Sequence, residues 1–516
     1  MTNKDISPPA LSPARRFAGR RFAGRRNLLN GMAGATALPF VGAFAALQAR
    51  EAAAVTNGAS ALVASPYGPI APVNDMTTGL PLLQLPAGFT YKSFGWTGDT
   101  MSNGKPCPSA HDGMGVVLSR KVGRSTELVL VRNHEVHAVN PASFIDAHGV
   151  YDSGNSSTGA TTQLGGGTTN LLFRDGNWVS VTPSLGGTDG NCAGGVTPWG
   201  TWLSCEEIGS DAVTAAGKKH GYVFEVAADP TLTTGQPIVG MGRFAHEAAG
   251  VDPLTGIVYM TEDQSGKSGF YRYVPDIKPA AYGALAMGGQ LQMARAKGKP
   301  NANLAAALVG DTYELEWVAI ANPDQNRGNA TGPTGITITS AAGPFVQGWL
   351  QGALRMNRGE GIWHAQGKMY VMDTAGGSIA RGAIWELDLA SQSMRCMYSS
   401  PNVVVGNMGD NLTVSPRNAI LICEDASSAT TDSFGFGQRL MGITGGGDAY
   451  IFAKNNVVLT GAQLQAADKR GSLAGDHRGN EFAGCCFDPT GRYLFVNIQT
   501  PGITFAISGP WALGPL

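Results

Sequence analysis

Cys192 stands in a glycine-rich loop at the start of NCAGGVTPWGTWLSCEE, and that stretch ends in two carboxylates, Glu206 and Glu207. A thiol and paired acids on one short run can hold metal. Thiolate sulfur is soft and carboxylate oxygen is hard, so the mixture suits a transition metal with calcium or magnesium beside it. The same pattern, an apolar run closing on acid, recurs along the chain. VLVRNHE ends at Glu135, IVYMTED at Glu262 and Asp263, KMYVMD at Asp373, and AILICED at Glu424 and Asp425. Carboxylates gathered in a closed place raise one another's pKa, and multivalent cations relieve the repulsion. RGEG places Arg358 two residues before Glu360. In an extended segment both side chains leave on the same side, so a guanidinium and a carboxylate would face one cavity. His134 and His246, each followed by glutamate (Glu135, Glu247), read equally well as hydrogen-bonded turn residues.

Short strands must position these acids. ELVLVRNHE, TNLLFRD, TWLSCEE, GYVFEVAA, GIVYMTED and GFYRYVP are brief β-branched or aromatic runs separated by turn residues. The acid-ending runs recur at intervals that imply an all-β fold of about six four-stranded blades, a six-bladed β-propeller whose strand ends converge on one polar place. The segment 277–347 breaks the pattern. It is rich in Ala, Gly and Asn, and PFVQGWLQGALRMN (Pro344 to Asn357) has helical spacing, so a helical or irregular insertion over one mouth is expected.

Composition agrees with that class. Only 15% of the 516 residues are charged and 72 are glycine, which excludes a helical bundle or a disordered chain. Seven cysteines with no CxxC pair indicate neither a disulfide framework nor a zinc ribbon. The first 49 residues read as a signal peptide: three arginine pairs, the last in RRNLLNG, precede a weakly apolar Ala/Gly-rich segment. Gly31, Gly34, Pro39 and Gly42 make that segment a poor membrane anchor, so no stable membrane span is expected after cleavage. Its removal leaves 30 basic residues against 37 acidic ones, which argues against nucleic acid as a partner. Residues 50–84 read as an extended lead-in and 85–516 as one domain.

In order, RNHE, NCAGGVTPWGTWLSCEE, RFAHEAAGVDPLTGIVYMTED, RGEGIWH, GDNLTVSP, ICED and EFAGCCFDPTGRYLFVNIQTPGITFAISGPW resemble the motifs of the PhoX-type alkaline phosphatases, from about Leu85 to Trp511. The resemblance implies a six-bladed propeller exported through the twin-arginine translocase to the periplasm or beyond. It implies an axial site of iron (Fe3+) and calcium (Ca2+) that hydrolyses small phosphate monoesters, with a metal-bound oxide or hydroxide as nucleophile. The family's cysteine falls on Cys192, its carboxylates on Glu207 (or Glu206), Glu247 and Glu360, and its phosphate-binding arginine on Arg358; Glu262, Asp410, Glu424 and Glu481 match further acidic positions. Two other readings compete. A calcium-dependent lactonase or phosphotriesterase would also use acids at a propeller mouth but would not need Cys192. A non-catalytic propeller would use metals for stability and bind a protein partner.

Overall fold

The computed structural model describes residues 60–139, 143–155 and 161–516, so the expected signal peptide and the first part of the lead-in lie outside it. The described chain is all-β and propeller-like. Its central strands are buried on both faces: every residue of Thr201–Glu206 and of Phe482–Phe487 is buried, while outer strands such as Thr312–Ala319 are partly exposed. Sheets stacked face to face cover both sides of a strand, which is why the runs read as continuously apolar instead of alternating.

Six strands pack in a closed ring. In order they are His111–Val122, Asn191–Val196, His246–Val251, Gly359–Ala365, Gly409–Val414 and Phe482–Phe487, the last lying against the first. Each begins a sheet running outwards, antiparallel except where Gly149–Val150 joins Asn177–Thr188 in parallel. The sheets are not six equal units of four strands. The one starting at Phe482–Phe487 has four, that at Asn191–Val196 three, that at Gly409–Val414 six, and that at His111–Val122 five. The other two merge into one nine-stranded sheet because Thr312–Ala319 pairs with Gly289–Ala296 on one side and with Ser393–Ser399 on the other.

That merger corrects the reading of 277–347 as a plain insertion, since it supplies two outer strands of this sheet. Its helix is Gly343–Leu350, shorter than the sequence pattern suggested, because Gly352 adopts φ +83° and the chain turns. The lead-in is likewise part of the fold. Ile70–Val73 pairs with Leu83–Pro86, which pairs with Ala449–Asn455. Thr90–Phe94 then adds to Ile503–Ser508, so the first and last parts of the described chain share a sheet. Tyr67, Phe89, Phe452 and Trp511 seal that junction, with the Phe89 and Trp511 rings 4.8 Å apart edge to face.

Candidate metal centre

One local device repeats around the ring. The second strand of each sheet pairs in register with the first residue of the inner strand, and then the register slips, leaving two inner residues opposite one outer residue. This is a β-bulge, which re-aims a side chain out of the ladder. The first bulged residue is Asp112, Cys192, Glu247, Glu360 and Asp410 in five of the strands, and Gly484 in the sixth. The second is small in most of them: Gly113, Ala193, Ala248 and Gly361. A Cβ on Gly113 would sit 2.4 Å from the Ala193 backbone, so neighbouring inner strands come too close here for a larger residue.

Five buried side chains therefore converge from five strands. Asp112, Glu135 and Cys192 have ligand atoms within 4.8 Å of one another; so do Cys192, Glu207 and Glu247, and so do Glu247, Glu360 and Asp410. The groups share Cys192 and Glu247, making one continuous chain of donors. Asparagines fix the bulges that carry them. Asn133 donates to the Cys192 and Ala193 carbonyls at 3.1 and 2.7 Å, and Asn497 to the Asp112 carbonyl at 2.7 Å. Thr261 holds the Glu360 carbonyl at 2.5 Å, and Asn411 bridges Asp410 (3.1 Å) to the Gly484 amide (2.6 Å).

The electrostatics follow from this crowding. Burial and then the charges of Glu135 and Asp410 push the Asp112 carboxyl far above its usual range. Burial and then Asp410 do the same to Glu247, burial and Asp263 to Glu207 and Glu360, and burial and Asp425 to Glu481. Asp410 rises to about 7, again by burial and then Asp425. The Cys192 thiol is held up by burial and by Asp112 and Glu247. One Glu247 oxygen, Oε2, is buried without a hydrogen-bond partner. A buried lone pair of that kind, in a wall of acids with one thiol, fits a cation.

Of the residues expected from sequence, Cys192, Glu207, Glu247, Glu360 and Asp410 come together here, and Glu481 joins them through Asp425. Three others do not. Glu206, Glu262 and Glu424 are the last paired residues of their strands and turn into the wall. Glu206 accepts from the amides of Asp189, Gly221 and Tyr222 and from His220 Nδ1 at 2.6 Å. Glu262 accepts from the Gly269 amide and from the Tyr271 hydroxyl at 2.7 Å, and Glu424 is locked to buried Arg439 at 2.6 Å. In each case the following residue, Glu207, Asp263 or Asp425, belongs to the acidic mouth. The cluster also takes in Glu135, the end of one of the acid-ending runs, and Asp112, which neither those runs nor the family resemblance points to. HDGMGV shares its shape with NCAGGV and HEAAGV, and that was the signal for Asp112.

Arg358 Nη2 lies 2.7 Å from Asp263 and 2.9 Å from Glu360, and those acids raise its pKa against the cost of burial. Its φ is +66°, unusual for a long side chain. Ala110, Gly190 and Met408, each also two residues before a converging side chain, share the conformation, so it belongs to the way these strands begin. The two histidines are wall residues: His134 meets Ser109 O and Thr169, while His246 stacks on Phe244 and burial lowers its pKa to about 3.

The description "Alkaline phosphatase PhoX" matches residues 65–185 and 181–502. The chain belongs to the PhoX alkaline phosphatase family. It is an enzyme, a phosphatase. Among solved structures it is similar to Pseudomonas fluorescens PhoX in complex with vanadate, at 18% identity and a TM-score of 0.58, covering 85% of this chain and 98% of that one. A gluconolactonase from Xanthomonas campestris is similar at 14% identity and a TM-score of 0.30, covering 78% of this chain and 97% of that one. No curated protein sequence matches. PhoX enzymes are metal-dependent, which accords with the acids gathered here. Among the described residues no helix is long and apolar enough to cross a membrane.

Proposed function

We propose that this PhoX protein hydrolyses phosphate monoesters at the mouth formed by Asp112, Glu135, Cys192, Glu207, Glu247, Glu360 and Asp410, using iron and calcium. The closed ring of six inner strands supports a six-bladed count, and the arginine pairs near the start of the chain support twin-arginine export to the periplasm. The observation that carries the proposal is the continuous chain of donors containing one thiol. Cys192 belongs to two of the groups, with Asp112 and Glu135 and with Glu207 and Glu247, and makes that part of the mouth suit iron, while the all-oxygen group of Glu247, Glu360 and Asp410 suits calcium. Bound there, such cations supply Lewis acidity towards a phosphoryl group and lower the pKa of attacking water.

The chain's own residues do the rest. Deprotonated carboxylates hold the charge in place, and the bulges and their asparagines keep those donors rigid. Arg358, fixed by Asp263 and Glu360, presents its guanidinium to phosphoryl oxygens as negative charge develops in the transition state. Vanadate, bound as a transition-state analogue in Pseudomonas fluorescens PhoX, accords with a mouth built for a five-coordinate phosphorus.

The test is metal analysis of the mature protein together with p-nitrophenyl phosphate hydrolysis, on wild type and Cys192→Ser. We expect iron and calcium in the wild type. The variant, with a hard and poorly ionised hydroxyl, should lose iron and activity while remaining folded. Full iron content and activity in the variant would make Cys192 a packing residue and overturn the ligand assignment.

A further inference from the structure

The turn after Asp263, Gln264 to Lys267, is ringed by three cations. Arg327 Nη2 donates to Gln264 Oε1 at 3.2 Å and to Ser340 O. Lys267 Nζ donates to the Thr339 and Ser340 carbonyls at 2.8 and 2.9 Å. Arg355 Nη1 donates to Gly266 O at 2.8 Å, and its Nε is buried with no partner. The acids of the surrounding loops form their ion pairs and side-chain bonds elsewhere: Asp263 with Arg358, Asp211 with Arg243 while its other oxygen accepts from the Arg327 backbone amide, and Glu262 with the Gly269 amide and Tyr271. Backbone carbonyls and the Gln264 amide oxygen take most of the hydrogen bonds of these cations, and Glu262, itself tied into the wall, offsets part of the charge of Arg327 and Lys267 without forming an ion pair with either.

Their place matters. Gln264 follows Asp263 directly, and a Cβ on Gly209, two residues after Glu207, would lie 3.0 Å from Arg327 Nη1. Arg327 thus stands between the rim turns that follow two of the mouth acids. It reaches there from the segment between Thr312–Ala319 and the helix, which the merged sheet holds in position. Burial and the neighbouring Arg327 both lower the Lys267 pKa, so the pair repels and would gain from an anion.

We infer that Arg327, Lys267 and Arg355 form a second anion subsite beside the catalytic mouth, which selects substrates carrying a second phosphate near the one that reacts. The inference rests on the phosphatase reading of the mouth. It concerns specificity, and Arg327 and Lys267 are its determinants.

The test compares fructose 1,6-bisphosphate with fructose 6-phosphate, substrates that differ by the second phosphate, on metal-loaded wild type and on the double variant Arg327→Gln with Lys267→Gln. Glutamine can still donate to the Ser340 carbonyl, so the hairpin stays pinned while the charge goes. The readout is the ratio of kcat/KM for the two esters. Wild type should favour the bisphosphate by roughly tenfold or more, and the double variant should lose about that factor, as expected for charge-assisted contacts. Lys267→Arg should retain the preference, and added salt should weaken it in the wild type. A wild-type ratio near one, or an unchanged ratio in the double variant, overturns the inference. If neither ester nor p-nitrophenyl phosphate is hydrolysed, the phosphatase reading of the mouth fails instead, and binding of inorganic pyrophosphate against inorganic phosphate decides the subsite. Tighter pyrophosphate binding that disappears in the double variant supports it; equal binding refutes it.

Discussion

Arg358 is bound to two acids, and that pairing gives it two separable jobs. One is to present its planar fork to a phosphoryl group; the other is to hold Asp263 and Glu360 in place. Arg358→Lys keeps the charge and loses the fork, whereas Arg358→Ala removes both. If transition-state contact dominates, the Ala variant should lose roughly two to three powers of ten in kcat, the usual result of removing one such donor, with metal content intact. The Lys variant should fall between. Steady-state kinetics with metal analysis on the same preparations checks this. Joint loss of metal and thermal stability would show that the arginine is a support for Glu360, and a stable, metal-replete Ala variant with normal kinetics would remove it from the chemistry.

At the scale of the element, strand register decides which of two adjacent acids faces the mouth. The sequence shows that strands end in acid, and the motif match extends over nearly the whole chain. It does not show the register, and a one-residue shift in a strand reverses which side chain faces the mouth. CEE, TED and CED therefore offer two adjacent acids each, and the sequence does not tell Glu206 from Glu207, Glu262 from Asp263 or Glu424 from Asp425 until the pairing of Asn191 with Glu206, and its counterparts in the other sheets, place the first acid in the ladder and the second beyond it. Asp112 was hidden for a related reason. It begins a strand instead of ending one, and so lies outside the recurring acid-ending runs. The register now predicts opposite outcomes for a neighbouring pair. Glu206→Gln turns an amide NH2 towards backbone donors and His220 in a buried place, and should cost about 3 kcal/mol of stability with little direct effect on metal affinity. Glu207→Gln should leave the wall intact and weaken metal binding. Denaturant unfolding of the metal-free variants, set beside metal titrations, distinguishes the two. If Glu206→Gln lost metal without losing stability, the wall assignment would be wrong.

For the whole molecule, the ring of inner strands concentrates like charges at the centre of a fold that is held together at its circumference. Thr90–Phe94, near the start of the described chain, shares a sheet with its last strand, Ile503–Ser508, and aromatic packing around Trp511 closes the ring, so the acids cannot spread apart to relieve one another. The consequence is a stability that depends on pH in opposite senses with and without metal. In the metal-free protein Asp410 has its pKa raised from 3.8 to about 7, and Asp112, Glu207, Glu247 and Glu360 are raised as well. Between the unfolded and folded values the native state holds more protons than the unfolded chain, so stability falls as pH rises. The chelated protein should therefore be most stable below about pH 4 with respect to these groups, and its Tm should drop by several degrees by pH 8. Buried His246 opposes this only below its unfolded value of 6.5, where the unfolded chain takes up a proton that the fold refuses. With calcium and iron present the trend should invert, because the donors must lose protons to bind and affinity grows with pH. Thermal melts from pH 5 to 8, with chelator and with metals, measure both slopes. A chelated protein whose Tm rises steadily from pH 5 to 8 would mean that the central acids are already separated or neutralised by the protein itself, and the case for a cation-built mouth would fall with it.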